Sequence, residues 1–121
     1  MTTPTFGPIS NADIDALEDL ITIPTRGAVA LVVQFVVGTA DLTDFLVQGR
    51  CHPSAGWSTL ATATGDFTTP VFPIQKASGD LNAAASGATV HFLIMDCAGM
   101  HEVLLRAAGT SSTITGYWGA R

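Results

Sequence analysis

The segments Thr-Val-His-Phe-Leu-Ile-Met (89–95), Glu-Val-Leu-Leu-Arg-Ala-Ala (102–108) and Ser-Thr-Ile-Thr-Gly-Tyr-Trp (112–118) occupy the last third of the chain. They contain β-branched and aromatic residues, which favour β-strands. The linkers between them, 96–101 and 109–111, are short and each contains a glycine, which suits a turn. This region predicts a three-stranded antiparallel meander that needs a second layer to cover its apolar face.

The upstream sequence contains the strands that such a second layer requires. Residues 28–37 form an apolar, β-branched run that predicts a central strand covered on both faces. Segment 44–51 alternates polar and apolar residues, 57–61 is a short strand candidate, and prolines around 71–75 suit an edge strand. We therefore predict an all-β protein, an antiparallel β-sandwich of about seven to eight short strands over residues 26–121.

Residues 1–25 predict an N-terminal arm followed by a short helix. Ser10 and the acidic residues after it resemble the start of a helix, and Pro24 would end it. The apolar residues between them fall on one stripe of a helix. This helix would either cover one end of the sandwich or reach a neighbouring subunit. In the second case, the candidate assembly contacts are Phe6, Ile9, Ile14, Leu17, Leu20 and Ile21.

The composition limits the classes of partner. Of the 121 residues, 47% are hydrophobic and 12% charged, with a formal net charge of −5. The basic residues are scattered singly, which argues against nucleic-acid binding because that function needs clustered Lys and Arg. The N-terminus lacks a secretory signal and the longest apolar run is too short to cross a bilayer, so we expect a cytoplasmic origin and no membrane. The shortage of charges predicts that part of the surface is covered in an assembly.

The sequence contains no convincing catalytic or cofactor motif. Ser58 follows a Gly-Trp step but lacks the second glycine of a nucleophile elbow. Two pairs of zinc-ligand residue types occur, Cys51 with His52 and Cys97 with His101. Because Cys51 and His52 are adjacent, a strand would point them to opposite faces. We therefore expect no metal and no cofactor, and two buried free thiols, with a Cys51–Cys97 disulfide as the alternative.

Aromatic residues near the C-terminus suggest a possible sugar-stacking set. Trp57, Tyr117 and Trp118 are its candidates. Trp118 is expected in the core, whereas Tyr117 points the other way and is the candidate surface aromatic. In the preceding strand, His91 is expected to point away from the core. The residues expected to face the core there are Val90, Phe92 and Ile94.

Residues 28–62 together with 89–121 resemble small β-sandwich proteins of tailed-phage virions. The opening part has a valine-rich run ending in Gly-Thr at 38–39 and a later Gly56-Trp57 step. The closing part has an aromatic-apolar strand, Ala-Gly, a strand with one arginine, Gly-Thr and a Thr-rich strand. In this chain those features are His91–Met95, Ala98-Gly99, Arg106, Gly109-Thr110 and Thr113–Tyr117.

The resemblance implies a non-enzymatic virion structural protein assembled in the host cytoplasm. Within that group we favour a capsid decoration (cement) protein, which binds the outside of the head and stabilises capsomer contacts. Its partners would be the major capsid protein or other virion proteins, and its own copies, with a trimer favoured. The alternative is a tail or baseplate component with a receptor- or carbohydrate-binding role. An isolated carbohydrate-binding module and a small hydrolase are the candidates from other classes.

Overall fold

The computed structural model describes residues 4–62, 72–78 and 90–121. These residues form nine strands and, within those ranges, no helix. The strands are β1 (Thr5–Ile14), β2 (Glu18–Pro24), β3 (Ala30–Gly38), β4 (Asp44–Arg50), β5 (Ser58–Thr62), β6 (Ile74–Ala77), β7 (His91–Asp96), β8 (Glu102–Ala108) and β9 (Ser112–Ala120). The all-β prediction is confirmed, although the strands outnumber the seven to eight expected.

The strands form two antiparallel sheets that enclose one core. The five-stranded sheet has the order β1-β9-β3-β7-β6, and the four-stranded sheet has the order β2-β8-β4-β5. The central position predicted for residues 28–37 is confirmed by β3. Only one face of β3 is covered, however. Val33 and Phe35 are buried, whereas Val32 is 38% exposed on the opposite face. The prediction that both faces would be covered is wrong.

The three C-terminal strands do not form a meander. β7 and β9 flank β3 in the five-stranded sheet, whereas β8 lies between β2 and β4 in the other sheet. The linkers before and after β8 therefore carry the chain across the core twice. β8 presents Val103, Leu105 and Ala107 to the core from the side opposite β7 and β9. Short linkers and alternating patterns fit hairpins and sheet-to-sheet crossings equally well, so the sequence pattern did not separate them.

The N-terminal helix prediction is wrong, because the chain forms strands there. β1 pairs with β9 and β2 pairs with β8, so from Thr5 onward the expected arm belongs to the two sheets. Asp15 lies between β1 and β2 and binds the linker between β8 and β9. Its carbonyl accepts a hydrogen bond from Gly109 N at 2.8 Å, and its Oδ1 accepts one from Ser111 N at 2.7 Å. Pairing with distant strands has overridden the local helix-start signal.

The core lies between the inward faces of the two sheets. Phe35 of β3 and Phe45 of β4 stack across it, with ring centroids 5.4 Å apart and an interplanar angle of 4°. Trp118 is buried, which confirms its predicted place in the core. None of the residues that the structure describes forms a helix long and apolar enough to cross a membrane.

The facing of β7 is the reverse of the prediction. His91, Leu93 and Met95 are buried, and the His91 ring lies 5.7 Å from the Phe35 ring. The alternate residues of β7, Phe92 and Ile94, therefore lie on the outer side of the five-stranded sheet. The expectation that His91 would face away from the core is wrong. A strand with apolar residues on both faces does not reveal its orientation through its own alternation.

Candidate assembly surface

The outer side of the five-stranded sheet is uncharged over β9, β3 and most of β1, whereas Lys76 lies beside Ile94 and Asp96 beside Ala30 toward its β6 edge. Two rows of cross-strand neighbours run over β1, β9, β3 and β7. One row consists of Phe6, Gly119, Val32 and Ile94, and the other of Pro8, Tyr117, Gln34 and Phe92. We call the surface formed by these eight residues the neutral face. Apart from Asp13 at the end of β1, neither β1, β9 nor β3 contains a charged residue.

Large apolar side chains on the neutral face are open to solvent. Phe6 is 82% exposed, Tyr117 70% and Val32 38%. Single exposed apolar residues are ordinary on soluble proteins, but adjoining ones on a flat sheet indicate a contact surface. These three residues lie on three adjacent strands, so they form one continuous surface.

A groove of about 360 Å³ lies between β1 and β3 at one end of the neutral face. Gly119 of β9 lies between Phe6 and Val32 in the cross-strand register. Because Gly119 has no side chain, the β9 backbone forms the floor while Phe6 and Val32 form opposite walls. Arg121 lies at one end of the groove and supplies the cation that borders it. The sheet therefore presents a shallow, apolar depression with a positive charge at one end.

The outer side of the four-stranded sheet is charged and bonded within the molecule. Arg50 Nε donates to Glu102 Oε1 at 2.6 Å, and Arg106 Nε donates to Asp19 Oδ1 at 2.8 Å. Between these pairs, Leu104 is only 4% exposed although it alternates with the core residues of β8. Its paired neighbours on β4 and β2 are Gln48 and Thr22. Long polar side chains can cover an apolar neighbour in this way.

Arg50 also organises the loop between β4 and β5. Its guanidinium carbon lies 4.4 Å from the centroid of the Trp57 ring, and its Nη1 donates to the carbonyl of Ala55 at 3.3 Å. One face of Trp57 is therefore occupied by the guanidinium group. Trp57 lies in the loop before β5 of the four-stranded sheet, whereas Tyr117 lies on β9 of the five-stranded sheet. The predicted sugar-stacking set is therefore not brought together. Tyr117 remains an exposed aromatic residue on the neutral face, together with Phe6.

The six candidate assembly contacts have different locations. Phe6 lies on the neutral face, and Leu17 is 42% exposed in the connection between β1 and β2. Leu20 and Ile21 are partly buried against the core. Ile9 and Ile14 are core residues, so their assignment as contacts is corrected. The error follows from the helix assignment, since a helical stripe and a strand's inward face select different residues.

The cysteines and histidines form no metal site in the described part of the chain. Cys97 is buried and Cys51 exposed, and both are free thiols, so the expectation of two buried thiols is wrong for Cys51. Burial raises the pKa of the Cys97 thiol, and the neighbouring Asp96 carboxylate raises this pKa further. The His52 ring accepts a hydrogen bond from Ser54 N at 3.0 Å through Nδ1. These groups are spread over a loop and the core rather than collected around one point.

Sequence reasoning did not identify the neutral face as a surface. It assigned Phe92 and Ile94 to the core and treated both faces of β3 as covered. One signal was present: β3 and β9 contain no charged residue at all, whereas β4 and β8 contain two each. A strand in a sandwich normally carries polar or charged residues on its solvent side. The absence of charge from two strands that prove to be neighbours was therefore the available signal for a contact surface.

Comparison with known proteins finds a likeness of fold. No family model and no curated protein matches the sequence. Among solved structures, the chain is similar to the SPBc2 prophage-derived protein YomS, with a TM-score of 0.58 and 10% sequence identity. The match covers 99% of this chain and 96% of that chain. The two proteins share a fold over nearly their whole lengths.

Proposed function

We propose that this chain is a non-enzymatic structural protein of a tailed-phage particle, and specifically a capsid decoration protein. In this role it binds the outside of the head and stabilises the contacts between capsomers. The observation that carries the proposal is the neutral face, an exposed apolar sheet surface suited to contact with other proteins. YomS, a protein of the same fold, is described as prophage-derived, and this supports a phage-related role.

The physical basis is the burial of the neutral face at a protein boundary. Apolar surface removed from water contributes about 25 cal/mol per Å² before the costs of association are subtracted. Phe6, Val32 and Tyr117 are the exposed large hydrophobic residues on this face. Decoration proteins occupy many equivalent positions on one shell, so subunits that also contact each other gain avidity from repetition. A modest contact per copy then suffices for stable binding.

The charged side chains of the structure support a structural role rather than catalysis. Arg50, Glu102 and Arg106 are engaged in ion pairs that join neighbouring strands. His52 orders its own loop through Ser54. In this proposal the partners are the major capsid protein or other virion proteins and further copies of the chain, and the protein resides in the virion.

A second candidate is a tail or baseplate component with a receptor- or carbohydrate-binding role. One observation favours it: Tyr117 is 70% exposed and its cross-strand neighbours are Gln34 and Pro8. An exposed aromatic ring beside an amide offers a stacking surface and a hydrogen-bonding group to a sugar. A Tyr117→Ala variant would lose glycan binding in this case while retaining its fold.

The location of the protein in phage particles tests the proposal. Particles released by the organism that encodes this chain are purified, and tail-free heads are separated from isolated tails. Quantitative mass spectrometry then measures the chain in each fraction. A decoration protein is expected in the head fraction in a fixed ratio to the major capsid protein. Recovery only with tails selects the second candidate, and absence from all particle fractions overturns both.

A matched pair of lysine variants tests the part played by the neutral face. Val32→Lys places a charge in the middle of this face, whereas Thr22→Lys places the same residue on the outer side of the four-stranded sheet. Burying an unpaired ammonium group is costly, so Val32→Lys is expected to bind heads poorly. Thr22→Lys is expected to bind as the unaltered chain does. Equal binding by both variants would remove the neutral face from the proposal.

A further inference from the structure

The two ends of the sandwich carry opposite charge. One end of the sandwich is where β1 and β3 finish and where β2, β4 and β9 begin. Among the described residues, six carboxylates lie there with one guanidinium, that of Arg106. We call this the acidic end. Its carboxylates belong to Asp13, Asp15, Glu18, Asp19, Asp41 and Asp44.

The opposite end, where β3 begins and β9 finishes, is basic. It carries Arg26, Arg50, Lys76 and Arg121 against the carboxylates of Asp96 and Glu102. Arg50 is paired with Glu102, so Arg26, Lys76 and Arg121 are the exposed cations of this basic end. The neutral face lies between the two ends. The described part of the molecule therefore has an uncharged sheet surface bordered by negative charge at one end and positive charge at the other.

We propose that a second copy of this chain covers the neutral face, with its strands reversed so that each acidic end lies beside the other copy's basic end. The two copies would be related by a two-fold axis that runs across the strands, parallel to the sheet. Each residue contact then occurs twice, as in any isologous interface. A two-fold axis along the strands would instead bring the two acidic ends together, and like charges oppose that arrangement.

Charge also identifies a second copy as the occupant. A partner that covers the neutral face must itself present few charges, since an unpaired buried charge is strongly unfavourable. The neutral face of another copy meets this condition, and the reversed ends supply opposite charges around it. The outer side of the four-stranded sheet does not meet it, because Arg50, Glu102, Arg106 and Asp19 lie there. The inference rests on the proposed function only in treating the neutral face as a protein contact. It makes that contact one between copies, so the head is bound through the remaining surface of the pair, and a variant that breaks the pair binds heads poorly because avidity is lost.

The outer side of the five-stranded sheet, which contains the neutral face, is large enough for such an interface. β3 has nine residues and lies at the centre of five strands. Strands advance about 3.3 Å per residue and lie about 4.8 Å apart, so this outer side measures roughly 30 Å by 20 Å in projection. Standard protein interfaces bury about 800 Å² of accessible surface per partner, and accessible surface exceeds projected area. A face-to-face contact is therefore of the usual size for a specific pair.

The reversed arrangement predicts a particular contact between copies. Asp13 is exposed at the acidic end of β1, and Arg121 follows β9, the neighbour of β1, at the basic end. Reversal about an axis across the strands places Asp13 of one copy next to Arg121 of the other. The symmetry repeats this pair on the other side of the axis. The two pairs would fix the direction of the strands as well as add to the affinity.

Complementary charge reversals test the arrangement with the full purified chain. Sedimentation velocity over a concentration series gives the dimer dissociation constant. Asp13→Arg alone, or Arg121→Asp alone, places like charges at both symmetric contacts, and each variant is expected to raise the dissociation constant about ten-fold or more at low salt. In an equimolar mixture of the two variants, a heterodimer has opposite charges at both contacts. The mixture is therefore expected to dimerise nearly as well as the unaltered chain.

Both substitutions are at exposed positions, and thermal melting verifies that each variant is folded. The inference is overturned if the unaltered chain is a monomer or a trimer at high concentration. It is also overturned if the mixture dissociates like the single variants. These outcomes are separate from the location of the protein in phage particles. A chain that dimerises but is absent from particles refutes the proposed function alone, and a monomeric chain found on heads refutes this inference alone.

Discussion

The two outer surfaces of this sandwich are built in opposite ways. On the four-stranded sheet, ion pairs join Arg50 to Glu102 and Arg106 to Asp19, and the apolar Leu104 between them is almost fully covered. On the five-stranded sheet, Phe6 and Tyr117 are exposed and no ion pair crosses β1, β9 and β3, which have no charged residue apart from Asp13. The first surface is completed by the chain itself.

The comparison shows that the same alternating pattern can serve two different environments. Both sheets send large apolar residues inward, and Phe35 and Phe45 meet between them. The difference lies only in the outward residues. Polar side chains that bond to one another need no further partner, whereas exposed apolar side chains gain stability when something covers them. We therefore regard the four-stranded sheet as the solvent side and the neutral face as the protein side.

The largest expected effect comes from forcing apart β9 and β3, two neighbouring strands of the five-stranded sheet. A Cβ atom at Gly116 would collide with the carbonyl oxygen of Gln34 and would lie 2.6 Å from the Cα of Phe35. Because these are backbone atoms of β3, Gly116→Ala must push β9 away from β3. We expect the free energy of unfolding to fall by about 3 kcal/mol or more, measured by urea denaturation.

Gly49 provides the control for this substitution on the four-stranded sheet. A Cβ atom there would approach Leu60 Cδ1 and Met100 Sδ, each at 2.9 Å. Both are ends of flexible side chains and can move aside. Gly49→Ala is therefore expected to cost less than about 1 kcal/mol. Equal losses in the two variants would contradict the close approach of β9 to β3.

A smaller effect should distinguish the apolar residues of the two outer surfaces. Leu104→Ala removes a covered side chain, and we expect it to lower the free energy of unfolding by about 2 kcal/mol. Val32→Ala removes a side chain that is 38% exposed in the single chain, and we expect it to cost about 0.5–1 kcal/mol at high dilution. Chemical denaturation of both variants measures the difference. A larger loss for Val32→Ala would mean that the neutral face is already covered within the chain.

The two ion pairs are expected to differ, and the smallest effect of all belongs to the more exposed one. Arg50→Ala removes a half-buried pair with Glu102, a bond to Ala55 and the contact with Trp57. We expect it to cost about 1–2 kcal/mol. Arg106→Ala breaks a more exposed pair with Asp19 and should cost about 0.5 kcal/mol or less. Thermal melting in low and high salt measures both, and the Arg106→Ala effect is expected to vanish in high salt. A salt-insensitive loss in Arg106→Ala would indicate packing rather than charge.

The fold class was predictable because alternation and β-branched residues survive in most segments. The strands at 44–51 and 112–118 are found close to their predicted bounds as β4 and β9. The two N-terminal strands could not be predicted from local signals. Asp15 resembles an acidic residue at the start of a helix in the sequence, but it connects two sheets in the structure. Its hydrogen-bond partners, Gly109 and Ser111, lie more than 90 residues away in the chain, and no local pattern reveals them.

The candidate surface was harder to predict than the fold. Tyr117 was selected because it alternates with Trp118, and that reasoning depended on one strand alone. The rest of the neutral face depends on which way β7 faces and on which strands are neighbours. Val90, Phe92 and Ile94 look like core residues from the sequence because all three are apolar. In the structure, however, the buried residues are His91, Leu93 and Met95. Only the register with β3 assigns each set to its side.

The accessibility of Tyr117 tests the central claim, that the neutral face is covered by protein, most directly. Tyr117 is the single tyrosine of the chain, so acetylation of tyrosine by N-acetylimidazole, followed by peptide mass spectrometry, reports on this face alone. A Thr22→Tyr variant supplies the matching probe on the four-stranded sheet. We predict that Tyr117 reacts freely in dilute solution and becomes at least about ten-fold slower in the associated protein, while the tyrosine introduced at position 22 reacts equally in both. A Tyr117 that reacts at one rate in every state would contradict the account.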